Sequence, residues 1–244
     1  MERDIDTGKV IRQHLEINEF FTAGLVPRGK KPQHPADDST ASGHVAESLE
    51  KIAEQVHKCR LCELGSLRTH AVPGEGSPRA RIMFVGEAPG ADEDMQGRPF
   101  VGRAGQLLDR IIEACGLKRS DVFICNILKC RPPDNRDPRP EEIISCLPYL
   151  QKQIEVVNPE VIVALGAHAA RNLLNTNLPI GQLRGRFSEY YTGIGQAPIK
   201  LMATYHPAYL LRSYSPDNRK RVWEDMKKVL AELNIPIPQA GKKS

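Results

Sequence analysis

Two rhythms of apolar and polar positions alternate along the chain. Short unbroken apolar runs occur at 81–86 (RIMFVG), 121–128 (DVFICNIL), 160–166 (EVIVALG) and 199–205 (IKLMATY). Runs of this length, bounded by charged residues, Gly or turn formers, predict strands buried on both faces. Between and after them the apolar residues recur at helical spacing, at 105–117, 139–157, 167–175 and 217–233. A further helical pattern begins at His44 and runs through HVAESLEKIAEQVHKC into a cysteine. Strands alternating with crossover helices predict an α/β fold of three layers, α/β/α, around a central four-stranded parallel sheet. Residues 46–233 form the expected globular domain. Before it, residues 1–45 hold one short amphipathic stretch and a run rich in Pro, Gly, Lys and Ser that cannot bury much surface. They are expected to be a flexible extension, and 234–244 a C-terminal tail.

In an open parallel sheet, ligands bind beyond the carboxyl ends of the strands. The polar signals of this chain fall there. GEAPGADEDMQGRPFVGRAGQ follows the first run, Asn126 ends the second with KCRPPDNRDP after it, and HPAYLLR follows the fourth. The first segment lacks both G-x-G-x-x-G and the P-loop pattern. Its carboxylates at Asp92, Glu93 and Asp94 would repel a phosphate. Phe100, an aromatic in a glycine-rich loop, is either a core plug or a platform on which a base stacks. HPAYLLR joins an imidazole to apolar tips and a basic end, the combination that pushes between bases while holding phosphate. Arg131, Arg136 and Arg139 could track a nucleic-acid backbone.

Cysteine chemistry changes the picture most. Cys59 and Cys62 form a C-x-x-C pair, and Cys130 and Cys146 follow with residues 131–145 between them. Four thiolates suit zinc or an iron–sulfur cluster. Structural zinc usually takes two short-spaced pairs, so the wide second pair tilts the choice toward a four-iron cluster. Cys115, in a helix, and Cys125, in a strand, read as core residues. The chain has 244 residues, is 40% hydrophobic and carries a net charge of +4 with a pI near 8.7. That is enough for one substantial core and is permissive of nucleic acid without requiring it. No apolar stretch approaches a membrane span, and the charged N-terminus has no signal-peptide core. A reducing cytoplasm is expected, with the cysteines free or metal-bound.

The segments GEAPGADEDMQGRPFVGRAGQLLD, CNILKCRPPDNRDP and HPAYLLR, with the four cysteines around them, closely resemble the family 4 iron–sulfur uracil-DNA glycosylases. The resemblance spans roughly residues 45–233. Family 5 enzymes look similar but carry an apolar residue at the position of Glu87 and Ala at that of Gly90. The histidine-crosslinking relatives carry an extra basic loop that this chain lacks between Cys130 and Cys146, so covalent trapping is not expected.

The resemblance implies a [4Fe-4S] cluster on Cys59, Cys62, Cys130 and Cys146, and uracil-containing DNA, single- or double-stranded, as substrate. It implies that uracil is flipped onto Phe100 and read by the Asn126 carboxamide. Amides of Gly86, Glu87 and Ala88, with His206, would stabilise charge on uracil O2. Glu87 or Glu93 would position water, with Asn135 a weaker candidate. Leu210, Leu211 and Arg212 would fill the vacated stack. A monomeric, monofunctional repair enzyme of a bacterial or archaeal cell interior is expected. The reading from another class is a non-catalytic iron–sulfur protein that binds nucleic acid or carries electrons, for which Phe100, Asn126 and His206 would have no use.

Overall fold

A computed structural model describes residues 39–192, 197–213 and 215–238 of the chain. The amphipathic stretch at the N-terminus, most of the expected linker and the last residues of the expected tail lie outside the described residues. Helix α1 (Ser39–Lys58) starts ahead of the globular pattern read from His44. It is followed by α2 (Leu64–Leu67), strand β1 (Glu75–Gly76), β2 (Ile82–Gly86), α3 (Ala91–Gln96) and α4 (Arg103–Ala114). Then come β3 (Phe123–Asn126), α5 (Pro140–Val157), β4 (Val161–Leu165), α6 (Ala167–Leu174), α7 (Ile180–Leu183) and β5 (Phe187–Tyr190). Strand β6 (Ile199–Thr204), α8 (Pro207–Arg212) and α9 (Pro216–Glu232) complete the described chain. No described helix is long and apolar enough to cross a membrane.

The strand order is β1-β3-β2-β4-β6-β5. All four expected strands are present as β2, β3, β4 and β6, and neighbours among them run parallel. The sheet is nevertheless six-stranded and mixed, because β1 and β5 add antiparallel edges. Neither edge strand carries an apolar run. Strand β1 is two residues long, and its Gly76, at φ 132°, sits so close to Val122 that a Cβ there would lie 1.9 Å from the Val122 carbonyl oxygen. Strand β5 is half-exposed over most of its length.

Side chains of β2 alternate between two cores, as a strand's period of two requires. Met83 and Val85 join Cys125, Ile127, Leu150 and Ile154 on one face, under α5 and α6. Ile82 and Phe84 join Ile124, Leu108, Ile112, Met226 and Val229 on the other, under α4 and α9. Strands β2 and β4 are buried along their whole length, which is why they read as unbroken apolar runs. Cys115 caps the C-terminus of α4 and Cys125 lies in β3; both are core residues, and burial raises the Cys115 thiol to about 12.

Candidate active site and cysteine centre

Three strand ends converge at one edge of the sheet. Gly86 ends β2 and pairs in register with Asn126, which ends β3. His206 follows β6 by two residues and caps the N-terminus of α8. Gly86 is where the chain comes closest. A Cβ there would lie 2.3 Å from Asn126 Oδ1 and 2.6 and 2.8 Å from Cζ and Cε2 of Phe100. Only the missing side chain lets Asn126 and Phe100 meet over the strand end. The Phe100 ring in turn lies 5.6 Å from the His206 ring, tilted by 32°.

Asn126 is 1% exposed, and its Oδ1 is the one buried side-chain polar atom among the described residues that has no hydrogen-bond partner. Leaving a buried acceptor unmet costs about 1–3 kcal/mol. Such an atom in a native site points to a ligand that supplies the donor.

Phe100 is held in a backbone conformation that an aromatic residue seldom adopts, with φ 50°. Its neighbours enforce it. Glu93 Oε1 accepts from the amides of Val101 (2.8 Å) and Gly102 (3.0 Å), and Oε2 accepts from Gly90 N–H (3.1 Å). From the other side Arg119 donates to the carbonyls of Pro99 (2.5 Å) and Phe100 (3.3 Å). The acidic run thus folds as the first turn of α3, where carboxylates meet free amides and the positive end of the helix dipole. Asp94 is buried and accepts from Thr69 N–H through both oxygens.

His206 Nδ1 accepts a hydrogen bond from Ala208 N–H at 3.1 Å. An accepting Nδ1 carries no proton, so the ring is neutral with its proton on Nε2. Burial, helped by the Arg212 charge, depresses its pKa to about 4. The ring is therefore a neutral Nε2–H donor above that pH. Glu87, next to Gly86, is raised above 4.5 by burial, opposed by His168.

Most of segment HPAYLLR forms a short helix, begun by Pro207 at its first position. The helix turns Leu210 into the core, at 2% exposure, where it packs among the α4 and α9 side chains. Leu210 is thus removed from the expected wedge, leaving Leu211, 40% exposed, and the exposed Arg212 at the tip. Asn135 is engaged by Arg131, whose Nε donates to its Oδ1 at 2.8 Å. Arg136 is committed to the Glu142 carboxylate through two hydrogen bonds of 2.9 and 2.5 Å.

The cysteines assemble beside this edge. Cys130 and Cys146 are buried with Leu64 and Leu128, and Cys62, Ala88 and Ile143 pack against them. Arg68 donates to Cys130 Sγ at 3.0 Å, and the amide of Lys129 donates to Cys146 Sγ at 3.3 Å. Arg68 also ties down the Cys59 and His57 carbonyls. Burial pushes the Cys146 thiol to about 12 and raises Cys130 as well. Lys129, fully buried, links the two regions. Its Nζ donates to the Asn126 carbonyl (2.8 Å) and to Gln153 Oε1 (2.6 Å), and Gln153 Nε2 donates to the Pro73 carbonyl (2.7 Å). Sequence reasoning did not find Lys129, because a lysine in a run gives no sign that it is buried.

Residues 73–227 match the uracil DNA glycosylase superfamily. The chain belongs to that superfamily. It is similar to the type-4 uracil-DNA glycosylase of Saccharolobus solfataricus, with 49% identity over 193 residues covering 77% of this chain and 88% of that protein. The type-4 uracil-DNA glycosylase of Thermotoga maritima is 47% identical over 183 residues, covering 75% of this chain and 93% of its own. The type-5 enzyme of Pyrobaculum aerophilum is more distant, at 34% over 170 residues. Superfamily membership and type-4 similarity agree with the motifs at 86–109, 125–138 and 206–212.

Proposed function

We infer that this uracil-DNA glycosylase excises uracil from DNA by hydrolysing the N-glycosidic bond, with the residues at the strand ends in the roles the motifs suggest. The observation that carries this reading is the unmet acceptor of Asn126, buried between Gly86 and Phe100. Uracil offers a donor, N3–H, to that oxygen, and its O4 accepts from the same carboxamide. Cytosine presents N3 as an acceptor and an amino group at C4, so a fixed Asn rejects it. Phe100 stacks on the flipped ring. As the C1′–N1 bond breaks, its electron pair passes to uracil and charge grows on O2, where the neutral His206 Nε2–H donates. Water adds its oxygen at C1′ while its proton passes by way of Glu87 and solvent to the uracil anion, leaving an abasic site and free uracil.

Glu87 is the better supported of the two carboxylates for orienting that water. Both oxygens of Glu93 are already accepting main-chain amides that shape the Phe100 loop. Leu211 and Arg212 are the groups available to enter the vacated stack and hold phosphate.

Cleavage of a uracil-containing oligonucleotide, developed with alkali, tests the assignment. Asn126→Ala is expected to lose roughly ten- to a hundredfold in excision rate, the worth of one buried hydrogen-bond partner. Cleavage at the wild-type rate would remove Asn126 from base reading.

The donor set of Cys59, Cys62, Cys130 and Cys146 fits a [4Fe-4S] cluster. The surroundings are apolar, and two N–H groups already point at sulfurs, as the thiolates of a cluster require. Among the described residues, the group whose ligand atoms come within 4.8 Å of one another is Glu87, Asp137 and His168, and the cysteines are not part of it. One tetrahedral zinc would draw its sulfurs to about 3.8 Å apart. When bound, the cluster supplies structural cross-linking of α1, α5 and the segment after β3. Protein purified without oxygen is expected to be brown and to carry about four irons per chain. Stoichiometric zinc without iron would overturn this.

A further inference from the structure

His168 lies outside the segments 86–109, 125–138 and 206–212. It lies in the first turn of α6, directly after β4. Each of its ring nitrogens has a different carboxylate nearby. Nδ1 is 3.6 Å from Glu87 Oε1, and Nε2 is 3.9 Å from Asp137 Oδ1. The three residues leave the same edge of the sheet, after β2, β3 and β4, beside Gly86 and Asn126. We propose that His168 is a positioning residue for Glu87: its imidazole, set between the Glu87 and Asp137 carboxylates, supports the Glu87 carboxylate for the water-orienting step. The inference rests on Glu87 having that role.

The surroundings of Glu87 make such a partner necessary. Its side chain is 27% exposed, and burial is the largest influence on it, driving the carboxyl toward its neutral form. Asp137 pushes in the same direction, as a like charge must. His168 is the group that pulls the other way, and among the described residues these two are the charged groups that act on Glu87. A neutral Glu87 could neither offset positive charge at C1′ nor take a proton from water. Each of the two ring nitrogens of the imidazole faces a different carboxylate oxygen. Both separations exceed hydrogen-bond length, so the coupling is Coulombic and of surface strength. Asp137, 82% exposed, contributes mainly by lying on the second nitrogen.

Single-turnover excision by the intact, cluster-containing protein, followed from pH 4.5 to 8, tests this. His168→Gln is expected to raise the midpoint of the acid limb by roughly half a pH unit, so the deficit of the variant grows as pH falls. His168→Lys, which restores a positive charge, is expected to return the midpoint toward wild type. The same profile taken on His206→Ala separates the His206 contribution, whose pKa burial lowers to about 4, from that of Glu87. A His168→Gln profile that superimposes on wild type would overturn the proposal. So would a His168→Lys profile identical to that of His168→Gln, since shape and not charge would then matter. Manganese binding seen by electron paramagnetic resonance in wild type and lost in His168→Gln would also overturn it, by making the three residues an ion site. Glu87→Gln separates the underlying assignment. If Glu87 orients water, that variant loses both rate and the acid limb; if it keeps both, the role of Glu87 fails independently of His168.

Discussion

Replacing His206 by alanine is expected to lower the single-turnover rate of uracil excision by on the order of a hundredfold or more, with little change in affinity for uracil-containing DNA. The asymmetry follows from when the hydrogen bond matters. In the ground state uracil O2 is a neutral carbonyl; as the glycosidic bond breaks it takes up negative charge, and the Nε2–H donor interacts more strongly. The ring is already in the donating form, because Nδ1 is occupied by Ala208 N–H and burial keeps the second proton off until about pH 4. The donor therefore keeps its form at neutral pH and above. His206→Ala that loses DNA binding and keeps its rate at saturation would make the histidine a DNA contact instead.

Gly86→Ala should abolish most excision without unfolding the protein. A methyl group would enter the space between the Asn126 carboxamide and the Phe100 ring, closer to both than real carbon contacts allow. Asn126 is buried and Phe100 is fixed by Glu93 and Arg119, so neither can retreat cheaply. Overpacking of this kind costs about 1–3 kcal/mol, and here it falls on the volume that uracil must fill. The expected loss is roughly a hundredfold in rate at subsaturating substrate. Binding to DNA that already carries an abasic site should persist, because no base has to enter. Wild-type excision by Gly86→Ala would show that the base is held elsewhere.

The part of the fold that the sequence makes legible is the part built from unbroken apolar runs and crossover helices. Strands β2, β3, β4 and β6 lie between two helical layers, so nearly every position is apolar, with Asn126, Lys200 and Thr204 the exceptions, and the signal is strong. The edges β1 and β5 pair on one side only and need no such run, so they leave no trace. Helix α8 has one sequence signal, a proline directly after a potential capping residue, which marks a helix start. Grouping Leu210 with Leu211 as tips that fill the stack takes no account of helical geometry, which turns Leu210 inward and leaves Leu211 outside. Asn126 and Phe100, which the fold brings together over Gly86, stand out in the sequence because a carboxamide at a strand end and an aromatic among glycines are unusual company. The work of Glu93 was not, because its partners lie at main-chain amides up to nine residues away and backbone geometry is invisible in composition. Lys129 and His168 are single residues whose meaning lies wholly in what folding brings to them.

The hydrogen bond from Ala208 to His206 has an evolutionary side. Many histidines that must present one tautomer rely on a neighbouring carboxylate, and losing that neighbour loses the chemistry. Here the main chain does the orienting. Every amino acid but proline supplies the same N–H at position 208. Side chains around the ring can drift without changing which nitrogen holds the proton, so the mutational target attached to this donor is little larger than the histidine itself.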